Sequence, residues 1–306
     1  MQVQGIVAYE KEMAWDEYLV PGSIDEALEM LERYRGAARV IAGGTDMVPA
    51  SRKGAPEVKV CVDITRIPGL DAIRLDGPIV RIGALVTHTE AARSGIIREK
   101  GMALAEGAST LGSPQIRNIA TIAGNIINAQ PGADTVIPLL ALEGSITVRS
   151  RQGERSITLA ELFTDLGRTK VDSTKEIVTE ISFPALVKGE ASAAMRLAKR
   201  KSLVLPILTV AIVIGTDPGV KRFTKVCIAV GPVARTPFRS REAEEILLGS
   251  PVGDEVVKKA AAAAAKTANP RTSLIRGTSE YRKAMVAVLV ERGIATALRR
   301  LEESNG

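Results

Sequence analysis

Ala42-Gly43-Gly44-Thr45-Asp46-Met47 follows a short strand-like run at residues 38–41, and its reading decides the fold. Such a run, broken by two glycines and then by polar side chains, is a strand that turns sharply. Small residues let a backbone approach a ligand closely. Consecutive backbone N–H groups in such a turn form a concavity for anions. Thr121-Ile122-Ala123-Gly124-Asn125 repeats the same ingredients further along. Thr45 and Thr121 add hydroxyl groups to the two loops. Neither stretch has the G-x-G-x-x-G spacing or the P-loop pattern, so a dinucleotide site here is not of the Rossmann kind. Taken alone, each loop is equally readable as a tight turn without a ligand.

Working outward, Ser23-Ile24-Asp25-Glu26 and Thr87-His88-Thr89-Glu90 are capping boxes that open helices. Strands are expected at 38–41 and 58–64. Residues 70–75 and 79–85 read as a hairpin around Asp76-Gly77, and 145–150 with 155–159 as another around Gln152-Gly153. Residues 101–111 look helical, with Gly112 as the C-cap; 137–142 is a short helix and 176–183 a strand closed by Pro184. Beyond 184–190 the pattern changes. Three strands (192–199, 207–216, 224–230) and three helices (240–248, 254–267, 279–300) are expected there. The fold class is α+β. An α/β domain over 1–185, with subdomains near 1–66 and 67–185, precedes a 190–306 domain with a small antiparallel three-stranded sheet covered by helices.

Composition narrows the function. Aromatics are 3% of 306 residues, so the core is built from Ala, Val, Ile and Leu. The net charge of +6 is scattered apart from short groups such as Lys199-Arg200-Lys201, with no basic run to grip nucleic acid. Such a surface is solvated or meets an acidic partner. Two cysteines, Cys61 and Cys227, cannot supply the four thiolates usual for an iron–sulfur cluster. They read as buried structural thiols, a disulfide being their other option. His88 is the only histidine, which disfavours a zinc site or a Ser-His-Asp triad; it reads as a surface or packing residue. Residues 1–12 lack the order of a signal peptide, and no apolar run reaches the ~18 residues of a membrane span. A cytoplasmic chain without iron or molybdenum of its own is expected.

The ordered motifs resemble those of the FAD-binding subunits of the xanthine dehydrogenase and carbon monoxide dehydrogenase family. Residues 42–47 are similar to its first flavin motif, AGGT/H/Q-D/S-L, and 121–125 to its second, T-I-G-G-N. Residues 112–118 resemble G-D-P-Q-I/V-R-N, and 128–134 resemble N-A-x-P-A-A-D. Gly167-Arg168-Thr169 and Ser279-Glu280-Tyr281-Arg282 are also familial, and the likeness runs from about residue 17 to 300.

The resemblance implies a PCMH-type FAD domain, with FAD as cofactor. Ala42, Gly43, Gly44, Thr45 and Asp46 would line the diphosphate and ribityl portion. Thr121, Ala123, Gly124 and Asn125 would complete the cradle, and Ile127 and Asp134 match further cofactor contacts. Arg196 falls where many relatives carry a lysine near the isoalloxazine ring. Ala123 replaces a usual glycine; if φ is positive there, the methyl costs about 1 kcal/mol. Ser113 and Met195 replace a common Asp and a common aromatic. The implied partners are a small iron–sulfur subunit and a large molybdopterin subunit, with NAD, a quinone or another carrier as acceptor. A self-sufficient flavin oxidoreductase and a non-catalytic assembly protein stay open as alternatives.

Overall fold

The computed structural model describes residues 15–53, 58–200 and 203–305. Residues 1–12, read above for a leader, and Lys201 of the basic group lie outside them. The first part comprises β1 (Glu17–Leu19), α1 (Ile24–Arg33), β2 (Ala38–Ile41), α2 (Met47–Ser51) and β3 (Val60–Asp63). Its sheet has the order β1-β3-β2, with both pairs parallel. Half of the first capping box forms: Ser23 Oγ accepts from the Glu26 amide, but Glu26 Oε2 accepts from Gly22 N at 2.7 Å and not from the Ser23 amide. Leu28 and Leu31 then lie on the face of α1 that buries against Val60 and Val62. The edge strand β2 delivers residues 42–47 from its C-terminal end.

The second part runs β4 (Ile73–Asp76), β5 (Ile79–Gly83), α3 (His88–Arg93), α4 (Gly95–Lys100), α5 (Met102–Thr110), α6 (Pro114–Arg117) and α7 (Ile122–Ile127). It continues with α8 (Val136–Ala141), β6 (Ser145–Ser150), β7 (Gly153–Thr158), α9 (Leu159–Leu162), β8 (Phe163–Asp165), β9 (Arg168–Thr169) and β10 (Ile177–Pro184). Both expected hairpins form. In the first, Gly77 takes the left-handed position that the turn demands, with φ +55°. The last strand, β10, inserts between the two hairpins, giving the antiparallel order β4-β5-β10-β6-β7. Phe183, Ile82, Ile146 and Leu139 are fully buried within the core beneath it. Each such side chain contributes roughly 1.5–3 kcal/mol on leaving water.

The third part holds β11 (Glu190–Leu197), β12 (Leu208–Thr216), β13 (Phe223–Gly231), β14 (Phe238–Arg239), α10 (Arg241–Leu247), α11 (Asp254–Thr267) and α12 (Ser279–Asn305). The sheet has four strands, not three: β14 adds two residues beside β13. A two-residue pairing leaves too short an alternation to read from sequence. Every residue of β12 is buried, so both faces of this sheet are covered. Leu208, Val210, Ile212 and Ile214 face a core shared with α11 and α12. The alternating Ala211 and Val213 join the core of the second part, with Ile137 and Leu139 of α8. Cys61 and Cys227 are buried free thiols, and burial pushes both up to about 12.

Candidate functional site

A cleft of about 890 Å³ opens between residues 42–47 on one side and segments of 111–134 and 164–173 on the other, with 203–205 at a third edge. That volume lies within the roughly 300–1,000 Å³ usual for small-molecule and cofactor sites.

The first wall is built by backbone constraint. After Ile41 the chain leaves its sheet and Gly43 packs on the second part of the molecule; a β-carbon there would stand 2.1 Å from the Ile119 carbonyl oxygen. Gly44 has φ +65°, and a β-carbon would meet Ile41 Cδ1 and Val48 Cγ2 at 3.2 Å each. The Val48 amide closes the turn on Gly44 O at 2.9 Å. Among the described residues, the amides of Gly43, Gly44, Thr45 and Asp46 donate to no protein acceptor. Unpaired N–H groups are uncommon in folded proteins. Four in sequence around a positive φ form a concavity suited to an anion. Partial burial pushes the Asp46 carboxyl above its ordinary value, opposed by the Asn128 side chain.

The second wall is not a loop but the start of α7. Thr121 is its N-cap, and its Oγ1 accepts from Gly124 N at 3.0 Å. Gly124 is exposed to the cleft, and a β-carbon on it would touch Thr121 Oγ1. Asn125 also lines the wall, its Oδ1 accepting from Thr135 Oγ1 at 2.6 Å. Ala123 departs from expectation. It lies inside α7 without positive φ, is buried, and does not line the cleft. A helical position welcomes alanine, so the methyl strains nothing.

Ala42, Gly43, Gly44, Thr45, Asp46, Thr121, Gly124, Asn125, Ile127 and Asp134 all line this one cleft. Arg196 does not. Its Nε donates to Asp134 Oδ1 at 2.9 Å and its Nη2 to Val204 O at 2.5 Å, so it braces the wall from behind. Burial raises the Asp134 carboxyl, and Arg196 and Thr110 oppose that rise. The position read as a cation beside the cofactor ring is thus spent in a buried ion pair that also holds the 203–205 edge.

Two side chains escaped the sequence reading. Arg39 and Arg168 line the cleft without a direct ion pair among the described residues, their charges acting on Asp172 and Asp165, although no arginine cluster stands beside either loop in sequence. Arg168 belongs to the noted Gly167-Arg168-Thr169 segment, which was the available signal. Arg39 gave none, being one side chain of an ordinary strand. His88 is fully buried at the head of α3, so it is a packing residue rather than a surface one, and it borders the cleft. Its Nδ1 lies 2.8 Å from Ala120 O. Among the described residues, no group of His, Cys, Asp and Glu could hold a metal ion, and no helix is long and apolar enough to cross a membrane.

The cradle suits a phosphorylated cofactor: unpaired amides at one wall, glycines where a β-carbon would intrude, and two guanidinium groups without a direct ion pair nearby. Comparison with known proteins agrees. Residues 11–186 match the family described as FAD binding domain in molybdopterin dehydrogenase, and residues 193–297 match the CO dehydrogenase flavoprotein C-terminal domain. The chain is 32% identical to the 6-hydroxypseudooxynicotine dehydrogenase complex subunit alpha of Paenarthrobacter nicotinovorans, covering 93% of this chain and 95% of that one. It is 31% identical to the carbon monoxide dehydrogenase medium chain of Hydrogenophaga pseudoflava, covering 92% and 96%. A solved carbon monoxide dehydrogenase from Hydrogenophaga pseudoflava, lacking the Mo-pyranopterin moiety, superposes with a TM-score of 0.88 at 30% identity, covering 94% and 98%.

Proposed function

The chain belongs to the family of FAD-binding subunits of molybdopterin dehydrogenases, and from that premise we propose that it carries electrons within a multi-subunit molybdenum hydroxylase. Iron–sulfur clusters on a small partner subunit would deliver them, a large molybdopterin subunit would oxidise the substrate, and NAD, a quinone or another carrier would receive them. Bound FAD supplies the redox chemistry; the protein positions it and shapes its surroundings. The single observation that carries the reading is the run of unpaired amides at 43–46 facing Thr121–Asn125 across the cleft.

In this reading the 43–46 amides donate to the diphosphate, which needs donors and no catalytic base. Arg39 and Arg168 add charge that strengthens those hydrogen bonds. Thr45, Asp46 and Asn125 bind the hydroxyl-bearing parts of the cofactor. Asp134, with Ile127 beside it, shapes the far wall, and Arg196 keeps that carboxylate charged and in place. Residues 1–185 act as the FAD domain and 190–306 as a domain closing one edge, in a cytoplasmic complex.

Purification of the native complex tests the proposal. We expect FAD on this chain, iron on a smaller companion, and flavin reduction when the complex meets its substrate. With Gly44→Val in the complex, substrate still reduces the iron–sulfur centres but electrons no longer reach the external acceptor. An isolated yellow chain that oxidises a small molecule without companions contradicts the proposal.

A further inference from the structure

Ser279-Glu280-Tyr281-Arg282 has no part in the cofactor cleft. Its arginine lies in the first turn of α12, only 3% exposed, and forms no ion pair with a carboxylate among the described residues. The guanidinium donates to three backbone carbonyls instead: Nη1 to Arg271 O at 3.0 Å, Nη2 to Ile207 O at 3.3 Å and to Pro232 O. One buried side chain thus staples residue 207, just past the 203–205 edge of the cleft, to residue 271, at the root of the loop between α11 and α12.

Both stapled segments carry exposed apolar side chains. Leu203 and Leu205 are more than half exposed, Ile275 is 68% exposed and Leu274 completely so. Leu205 and Leu274 stand no more than roughly 7–11 Å of extended chain from the carbonyls that Arg282 holds. Neither segment is loosely held. Ser273 and Gly277 exchange backbone hydrogen bonds at 3.0 and 2.8 Å, which closes a turn with Leu274-Ile275 at its tip. The Leu203 amide donates to Gly112 O at 3.2 Å, and Arg196 holds Val204 O. Exposed apolar residues scattered singly need no explanation, but a group of them on two pinned segments marks an interaction site. The flanks are basic. Lys199, Arg200 and Arg271 are exposed and make no ion pair among the described residues. Residues 196–207 contain no acid, and 271–283 contain Glu280 alone.

We propose that Leu203 and Leu205 with Leu274 and Ile275 form one docking face for the iron–sulfur companion, which meets it with an apolar centre ringed by carboxylates. This rests on the chain being the flavin subunit of a complex. The face begins at an edge of the cleft, and electron transfer falls off steeply with distance, so a companion that delivers electrons to a flavin there sits at that mouth. Leu274 and Ile275 offer hydrocarbon without polar cover, as permanent subunit contacts do and passing encounters with a carrier do not. The unbalanced positive flanks favour an acidic surface and repel a basic one. Arg282 is then a positioning residue that keeps the two halves in one face.

The native complex, purified through a tag on this chain, tests the face. Leu274→Asp combined with Ile275→Asp alters exposed side chains, so its circular dichroism and FAD content should match the wild type. We expect iron retained per FAD to fall by at least about tenfold, the size of effect that loss of a central apolar anchor gives. The wild-type complex should shed iron-bearing companion as salt rises, and Arg271→Glu should shed it already at low salt. A double variant that keeps its full iron overturns the proposal, as does one that loses only the iron-free molybdopterin companion. A wild-type chain that pairs with itself, or that pellets with phosphatidylserine vesicles, while the double variant does not, also overturns it in favour of that occupant. Arg271→Glu that behaves as wild type at every salt concentration overturns the acidic partner surface. If the wild-type chain carries no FAD or brings down no iron-bearing companion, the flavin-subunit reading itself fails. If both are present and the double variant keeps them, only the docking face fails.

Discussion

Gly43 rests against Ile119 so closely that a β-carbon would stand 2.1 Å from the carbonyl oxygen of that residue. The two residues belong to different parts of the molecule, and their contact sets the width of the cleft. The glycine that the sequence offered as a cofactor contact is first of all a hinge between two walls.

Gly43→Ala is therefore expected to destabilise the protein by about 3 kcal/mol, the upper range for overpacking, because backbone rather than a yielding side chain opposes the methyl. Gly44→Ala should cost roughly 1–2 kcal/mol through its positive φ. Ala123→Gly should cost about 1 kcal/mol in helix stability and leave FAD affinity unchanged, since this residue faces the core. Denaturant melts with flavin titrations separate the three. Equal stability of Gly43→Ala and wild type would contradict the hinge.

Much of the fold was legible because its signals are local. The capping boxes at Ser23 and Thr87 fixed two helix starts, and α11 (Asp254–Thr267) ends where its alanine run gives way to Ala268-Asn269-Pro270. What escaped is non-local. β10 completes its sheet from about a hundred residues away, pairing Phe183 with Val80. The site divides the same way: the two loops announced themselves, whereas Arg39 and Arg168 reach the cleft only through the fold. Ala123 was misjudged because a Thr N-cap followed by Gly-Asn looks like a loop when it is the first turn of a helix.

The Asp134–Arg196 pair carries a pH signature. Arg196→Ala strands a buried carboxylate, which costs about 3–5 kcal/mol when one partner of such a pair is lost. Burial already raises Asp134, and without Arg196 it rises further. A carboxyl whose folded pKa exceeds its unfolded value of about 3.9 gains a proton on folding. Its contribution is complete below the unfolded value and is lost as pH rises through the folded one. The stability deficit of Arg196→Ala should therefore shrink as pH falls from 7 toward 4. A deficit that is constant across this range contradicts the pairing.

Arg39→Ala and Arg168→Ala should each weaken FAD binding by roughly tenfold, about the 1.5–3 kcal/mol of a charge-assisted hydrogen bond at its lower end. The loss should be larger at low salt than at high salt. Riboflavin, without phosphate, should bind both variants as it binds the wild type. A loss of riboflavin affinity equal to that for FAD would assign these side chains to the ring instead.

Cys61 and Cys227 should be inert toward a thiol reagent in the native protein, because burial holds both thiols protonated. Both should react at once in denaturant, giving two thiols per chain. Rapid native reaction of either would show that its core opens.

The central claim is that the unpaired amides at 43–46 and the first turn of α7 hold FAD between them. Hydrogen–deuterium exchange with and without FAD tests it most directly. Peptides covering residues 42–47 and 121–128 should both exchange more slowly once FAD is bound, while those covering α11 stay unchanged. Stoichiometric FAD binding with no protection at either stretch would contradict the account.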